Sequence, residues 1–89
     1  MTRRKYRSLA GIILDILETL NTHGPMPATR IATYANLPYD RLKPILETLE
    51  EKHYVEKTED GYTITDEGRK ALAKLREAAN LLRMLGYKL

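Results

Sequence analysis

The stretch PATRIATYANLPYDRLKPILETL, from Pro27 to Leu49, reads as a short helix, a tight turn and a longer helix. Ala28, Ile31, Ala32 and Ala35 fall on one stripe at helical spacing, and Leu42, Ile45, Leu46 and Leu49 fall on another. Asn36 suits the left-handed backbone position that closes the first helix, and Pro38 suits the start of the second. The pair is a helix-turn-helix candidate. Its second helix, about residues 39–52, is the one offered to a DNA major groove. Any antiparallel helix pair needs the same stripes, so the flanking segments have to discriminate.

Upstream, Ser8 is a plausible N-cap, and Leu9, Ile12, Ile13, Ile16, Leu17 and Leu20 follow at spacings of three and four. This predicts an amphipathic core helix over about residues 8–22. Gly24 and Pro25 end it, and His23 falls at the negative end of its dipole. With His53 as the only other histidine and no ligand spacing between them, no metal site is expected. Downstream, Tyr54-Val55-Glu56-Lys57-Thr58 and Tyr62-Thr63-Ile64-Thr65 are short, β-branched and aromatic, and Glu59-Asp60-Gly61 between them carries a turn signal. A β-hairpin over about residues 54–65 is predicted. A hairpin directly after a helix-turn-helix gives a winged arrangement.

Thr65 or Asp66 caps a last helix, residues 66–86, with Leu72, Leu75, Ala79 and Leu82 recurring along it and Ala71, Ala78, Leu81 and Leu85 broadening the stripe. Its far half reaches beyond what a small domain covers. Leaving leucines in water costs about 25 cal/mol per Å² of apolar surface. The expectation is a homodimer through Leu75, Ala78, Ala79, Leu82 and Leu85, with a helix folded back on its own domain as the alternative. The predicted class is thus α+β, mostly α: a winged helix-turn-helix with a long C-terminal dimerisation helix.

Eighty-nine residues make one domain with a small core, for which dimerisation is a reasonable source of stability. The absence of cysteine excludes disulfides and thiolate metal sites. No apolar run approaches the roughly 20 residues of a membrane span, and residues 1–7 lack the apolar core of a signal peptide. A cytoplasmic, nucleoid-associated protein is expected. The net charge of +3 and pI near 9.3 are mildly basic. Their distribution says more. Arg3, Arg4, Lys5 and Arg7 form a basic arm over residues 1–7, read either as a phosphate- or minor-groove-binding arm or as a solubilising terminus. Over residues 28–44 Arg30, Arg41 and Lys43 outweigh Asp40, whereas over residues 47–60 Glu47, Glu50, Glu51, Glu56, Glu59 and Asp60 outweigh Lys52 and Lys57. Separated zones orient a chain on a polyanion, although ordinary solvated faces would give the same count.

Three stretches carry a family resemblance: Tyr34-Ala35-Asn36-Leu37-Pro38-Tyr39, Leu46-Glu47-Thr48-Leu49-Glu50-Glu51-Lys52, and Tyr62-Thr63-Ile64-Thr65-Asp66-Glu67-Gly68 running on to Leu72. Over roughly residues 10–80 the chain resembles archaeal winged-helix DNA-binding proteins. Among these it is similar to small transcriptional regulators, and to ten-kilodalton chromatin-type proteins that dimerise through a C-terminal antiparallel coiled coil. The resemblance implies binding of double-stranded DNA, with no enzymatic activity and no cofactor. It implies a recognition helix presenting Tyr39, Asp40, Arg41, Lys43 and Glu47, and a wing presenting Lys57, Glu59 and Asp60. Two positions depart from the family pattern. His53 stands where glycine is usual, and Pro44 lies inside the recognition helix, where it should bend the helix or delay its start.

On DNA, Arg30, Lys43, Lys57 and the arm would neutralise phosphates, and Arg41 is the candidate for a bidentate guanine contact. Tyr34 and Tyr39 read as aromatics packed in the core or turn more readily than as base-stacking ones. A different class, a winged-helix protein-interaction module, suits the acidic wing tip. An enzyme finds little support: there is no Gly-rich phosphate loop and no pairing of histidine with a nucleophile.

Overall fold

The computed structural model describes residues 8–87. Four helices and one hairpin follow in order: α1 (Leu9–His23), α2 (Ala28–Ala35), α3 (Tyr39–Glu51), β1 (Val55–Thr58), β2 (Gly61–Ile64) and α4 (Asp66–Met84). The ends form as local chemistry dictates. The Ser8 hydroxyl accepts from the Gly11 amide and caps α1, and Gly24, at φ 84°, closes it by donating to the Leu20 carbonyl. Asn36 closes α2 in the left-handed region, at φ 58° and ψ 48°. His53 adopts φ 67° after α3, a conformation that polar side chains tolerate better than branched ones.

Pro44 neither delays α3 nor interrupts it. The helix starts at Tyr39, directly after Pro38, and runs unbroken to Glu51. The pyrrolidine faces solvent, so water can reach the Asp40 carbonyl that loses its helical donor. Thr65 caps α4, its hydroxyl accepting from the Gly68 amide and donating to the His53 carbonyl at 2.6 Å. One side chain thus joins the end of the α3 segment to the start of α4.

The core is one apolar cluster drawn from every element. Ile12, Ile16, Leu17 and Leu20 of α1 meet Ile31, Ala32 and Ala35 of α2, Leu42, Leu46 and Leu49 of α3, Val55 and Ile64 of the hairpin, and Leu72 of α4. Among the described residues no polar side chain is buried. The hairpin pairs antiparallel, with Val55 opposite Ile64 and Thr58 opposite Gly61. The loop is therefore the two residues Glu59 and Asp60, and Gly61 belongs to β2 rather than to the turn.

Met26, in the link between α1 and α2, adds a bridge to this sheet. Its amide donates to the Tyr62 carbonyl at 3.1 Å, and the Tyr62 amide donates to the Met26 carbonyl at 2.9 Å. Gly61 lets the two backbones approach. At φ 113°, a Cβ there would collide with the Met26 carbonyl and lie 2.7 Å from the Pro27 nitrogen.

The N-terminal half of α4 packs on the domain through Gly68 and Leu72, and crosses α1. Arg76 grips Glu18 of α1 with two bonds of 2.7 Å, and Arg69 reaches Asn21. Beyond Arg76 the packing thins. Ala79 and Leu82 are half-buried, whereas Leu81, Met84 and Leu85 are 57%, 82% and 63% exposed.

Candidate nucleic-acid interface

Helix α3 buries Leu42, Leu46 and Leu49 and turns the opposite face to solvent. At helical spacing, Asp40, Pro44, Glu47 and Glu51 run along the crest of that face, all of them exposed. Tyr39, Lys43 and Glu50 occupy the flank toward the hairpin. Arg41, Thr48 and Lys52 occupy the other. The two recognition-helix cations, Arg41 and Lys43, are thus both exposed but stand on opposite sides of an acidic crest. That crest was legible in the sequence as the four-three-four spacing of Asp40, Pro44, Glu47 and Glu51, and counting charges along the chain hides it.

The wing lies against the Tyr39 flank. Burial holds the Tyr62 phenol above its ordinary value, and the carboxylate of Glu50, the Tyr39 phenol and the Glu47 carboxylate add to the shift. Across the ladder Lys57 pairs with Tyr62, on the same face as Val55 and Ile64, and holds its ammonium 5.8 Å from the ring centroid, a cation–π contact. The tip is set by Thr58, whose hydroxyl donates to the Gly61 carbonyl at 2.8 Å and accepts from the Asp60 amide at 3.2 Å.

On α2, Arg30 is exposed beside Tyr34 on the face opposite the Ile31–Ala35 stripe. Neither Tyr34 nor Tyr39 enters the core. Tyr34 is 50% exposed and stacks on His23 at the end of α1, with centroids 4.7 Å apart and planes at 28°, and Tyr39 is 45% exposed in the first turn of α3. Both sit off the apolar stripe of their helix, which decides the matter.

The structure therefore carries Tyr39 and Lys43 on one flank of α3 and Arg41 on the other, with Lys57 on the adjoining wing and Arg30 on α2. Arg3, Arg4, Lys5 and Arg7 lie outside the described residues. Of the residues expected at a dimer interface, Leu75 packs against its own core, Ala79 and Leu82 are half-buried, and Ala78 and Leu85 are exposed. Among the described residues no cluster of histidine and carboxylates could hold a metal ion, and no helix is long and apolar enough to cross a membrane.

Four helices, a tight α2–α3 turn and a hairpin hydrogen-bonded to the α1–α2 link define a winged helix-turn-helix. The profile of the winged helix-turn-helix family matches residues 6–83, so the chain belongs to that family. Among solved structures, a protein of unknown function from Listeria innocua Clip11262 superposes with a TM-score of 0.66 at 22% identity. The match covers 74% of this chain and 50% of that one, so this chain spans about half that protein's length and shares its fold. No curated protein matches the chain.

Proposed function

We propose that the chain is a homodimeric double-stranded DNA-binding protein, a cytoplasmic, nucleoid-associated transcriptional regulator that lays α3 in the major groove. The observation that carries this reading is the free outer face of α3, with Arg41 in its first turn and Lys43 on the opposite flank. Arg41 reaches a guanine edge, while Lys43, Arg30, Lys57 and the basic residues Arg3, Arg4, Lys5 and Arg7 meet phosphates. The crest carboxylates of Asp40 and Glu47 repel phosphates but accept hydrogen bonds from cytosine amino groups. That combination favours a selective reader over a chromatin-type coating protein. Dimerisation joins two such heads through the exposed far end of α4.

The test is fluorescence anisotropy of a mixed-sequence duplex at several salt concentrations. A log–log slope of about −4 to −8 is expected for a dimer neutralising that many phosphates. Arg41→Ala should then flatten the preference among duplex sequences, whereas an architectural binder would not notice the change. A second reading rests on the acidic crest together with the acidic tip Glu59–Asp60: a winged helix that docks on another protein. Absence of duplex binding even at low salt would select it.

A further inference from the structure

A groove of about 530 Å³ runs between α1, the end of α3 with Tyr54 after it, and the first half of α4. Its floor is the buried Leu17 and Leu49, and its accessible apolar lining is Ile13 from α1 with Ala71 and Leu75 from α4. Its rim is basic, with Lys52 at the end of α3 and Lys70 and Lys74 along α4, opposed by Glu67. Within the described residues none of these lysines forms an ion pair, whereas the neighbouring Arg69 and Arg76 are held by Asp66 and Glu18. The α4 wall from Glu67 to Leu75 is about 12 Å long at 1.5 Å per residue, the length of two helical turns.

We infer that this groove is a docking site for an acidic amphipathic helix of a partner protein, its apolar stripe on Ile13, Ala71 and Leu75 and its flanking carboxylates on Lys52, Lys70 and Lys74. The chemistry is that of helix-in-groove recognition, in which two or three apolar anchors give affinity and the charged rim sets partner and orientation. Charge decides among occupants. The chain's own unpartnered apolar segment, Leu81 to Leu85, carries Arg83 and would bring like charge to the rim. An acidic helix brings the opposite charge to three ammonium groups that Glu67 alone opposes on the rim. The groove lies beside α3 rather than on its crest, so the partner and the α3 face are served by different surfaces of one domain.

The experiment uses the full chain and a fluorescein-labelled helical peptide of about 15 residues, with leucines at i, i+4, i+7 and i+11 and glutamates between them. Its twin carries lysine for every glutamate. Anisotropy should show the glutamate peptide binding at least about tenfold more tightly than the twin, with salt weakening it. K52E/K70E/K74E should reverse that preference. The three lysines are exposed, and circular dichroism verifies that the variant keeps its fold. Equal binding of the two peptides, or a variant that behaves as the parent, overturns the inference. So does a variant with no change toward the peptide but an altered mass in light scattering, which would make the groove an interface between copies. A variant that loses only duplex affinity overturns it too, by making the lysines part of the nucleic-acid footprint. Neither peptide arm contains DNA, so failure here is separable from failure of the duplex titration.

Discussion

A side chain at Gly68 would gain about 1 kcal/mol of helix propensity, yet the fold leaves no room for one. Its Cβ would collide with the Tyr54 carbonyl oxygen and stand 2.7 Å from Ile64 Cγ1. Gly68→Ala should therefore destabilise the domain, by about 1–3 kcal/mol in a denaturant titration, against the sign that propensity alone gives. The Arg76–Glu18 pair acts at the same scale through pH. The guanidinium hydrogen bonds hold the Glu18 carboxyl below its ordinary value, opposed by partial burial. A depressed folded-state value stabilises above the ordinary carboxylate range, and that contribution is lost as pH falls through the folded-state value. Glu18→Gln should remove this acid-side slope from the stability–pH profile and leave the most acidic points unchanged. The change will be small, because both side chains are substantially exposed. Local conformation at this scale was legible in the sequence: Asn36, His53 and Gly24 sit at positive φ, where their types allow it. Gly61 and Gly68 were not, because what each meets comes from a distant segment.

Among the elements, α3 carries the sharpest conflict between local preference and fold. Pro44 occupies its interior at the expense of one hydrogen bond, and the helix forms nonetheless because Leu42, Leu46 and Leu49 anchor it on both sides. Pro44→Ala should restore the missing bond and raise stability by about 1–3 kcal/mol in thermal or chemical unfolding. An unchanged midpoint would mean that helix and proline are already reconciled. The helices and hairpin could be read from periodicity and turn residues, since each obeys a single period. The Met26 bridge could not, since a lone strand residue between two helices has no period to detect. The acidic crest of α3 lay in plain view and needed only a helical projection of Asp40, Pro44, Glu47 and Glu51.

For the molecule as a whole, the question is what covers the far end of α4. Leu81, Met84 and Leu85 leave apolar surface in water that a second copy would remove, at about 25 cal/mol per Å². Leu81→Ser combined with Leu85→Ser should convert the proposed dimer to monomer in light scattering while the helical signal of the domain persists. An unchanged mass would remove the homodimer from the functional reading. Sequence periodicity named the helix and counted Leu75 in the expected dimer interface, where the structure packs it in part on its own core, because a heptad pattern does not reveal where intramolecular packing stops. It stops near Arg76, the last α4 residue tied to α1 by an ion pair. The bridge between Met26 and Tyr62 has a consequence for redesign. The wing is rooted in the link before α2, so its sheet is fixed at the base while Glu59 and Asp60 protrude beyond the last ladder pair, Thr58–Gly61. Those two residues form an interchangeable cassette: their charge can be rewritten while the scaffold beneath keeps its shape.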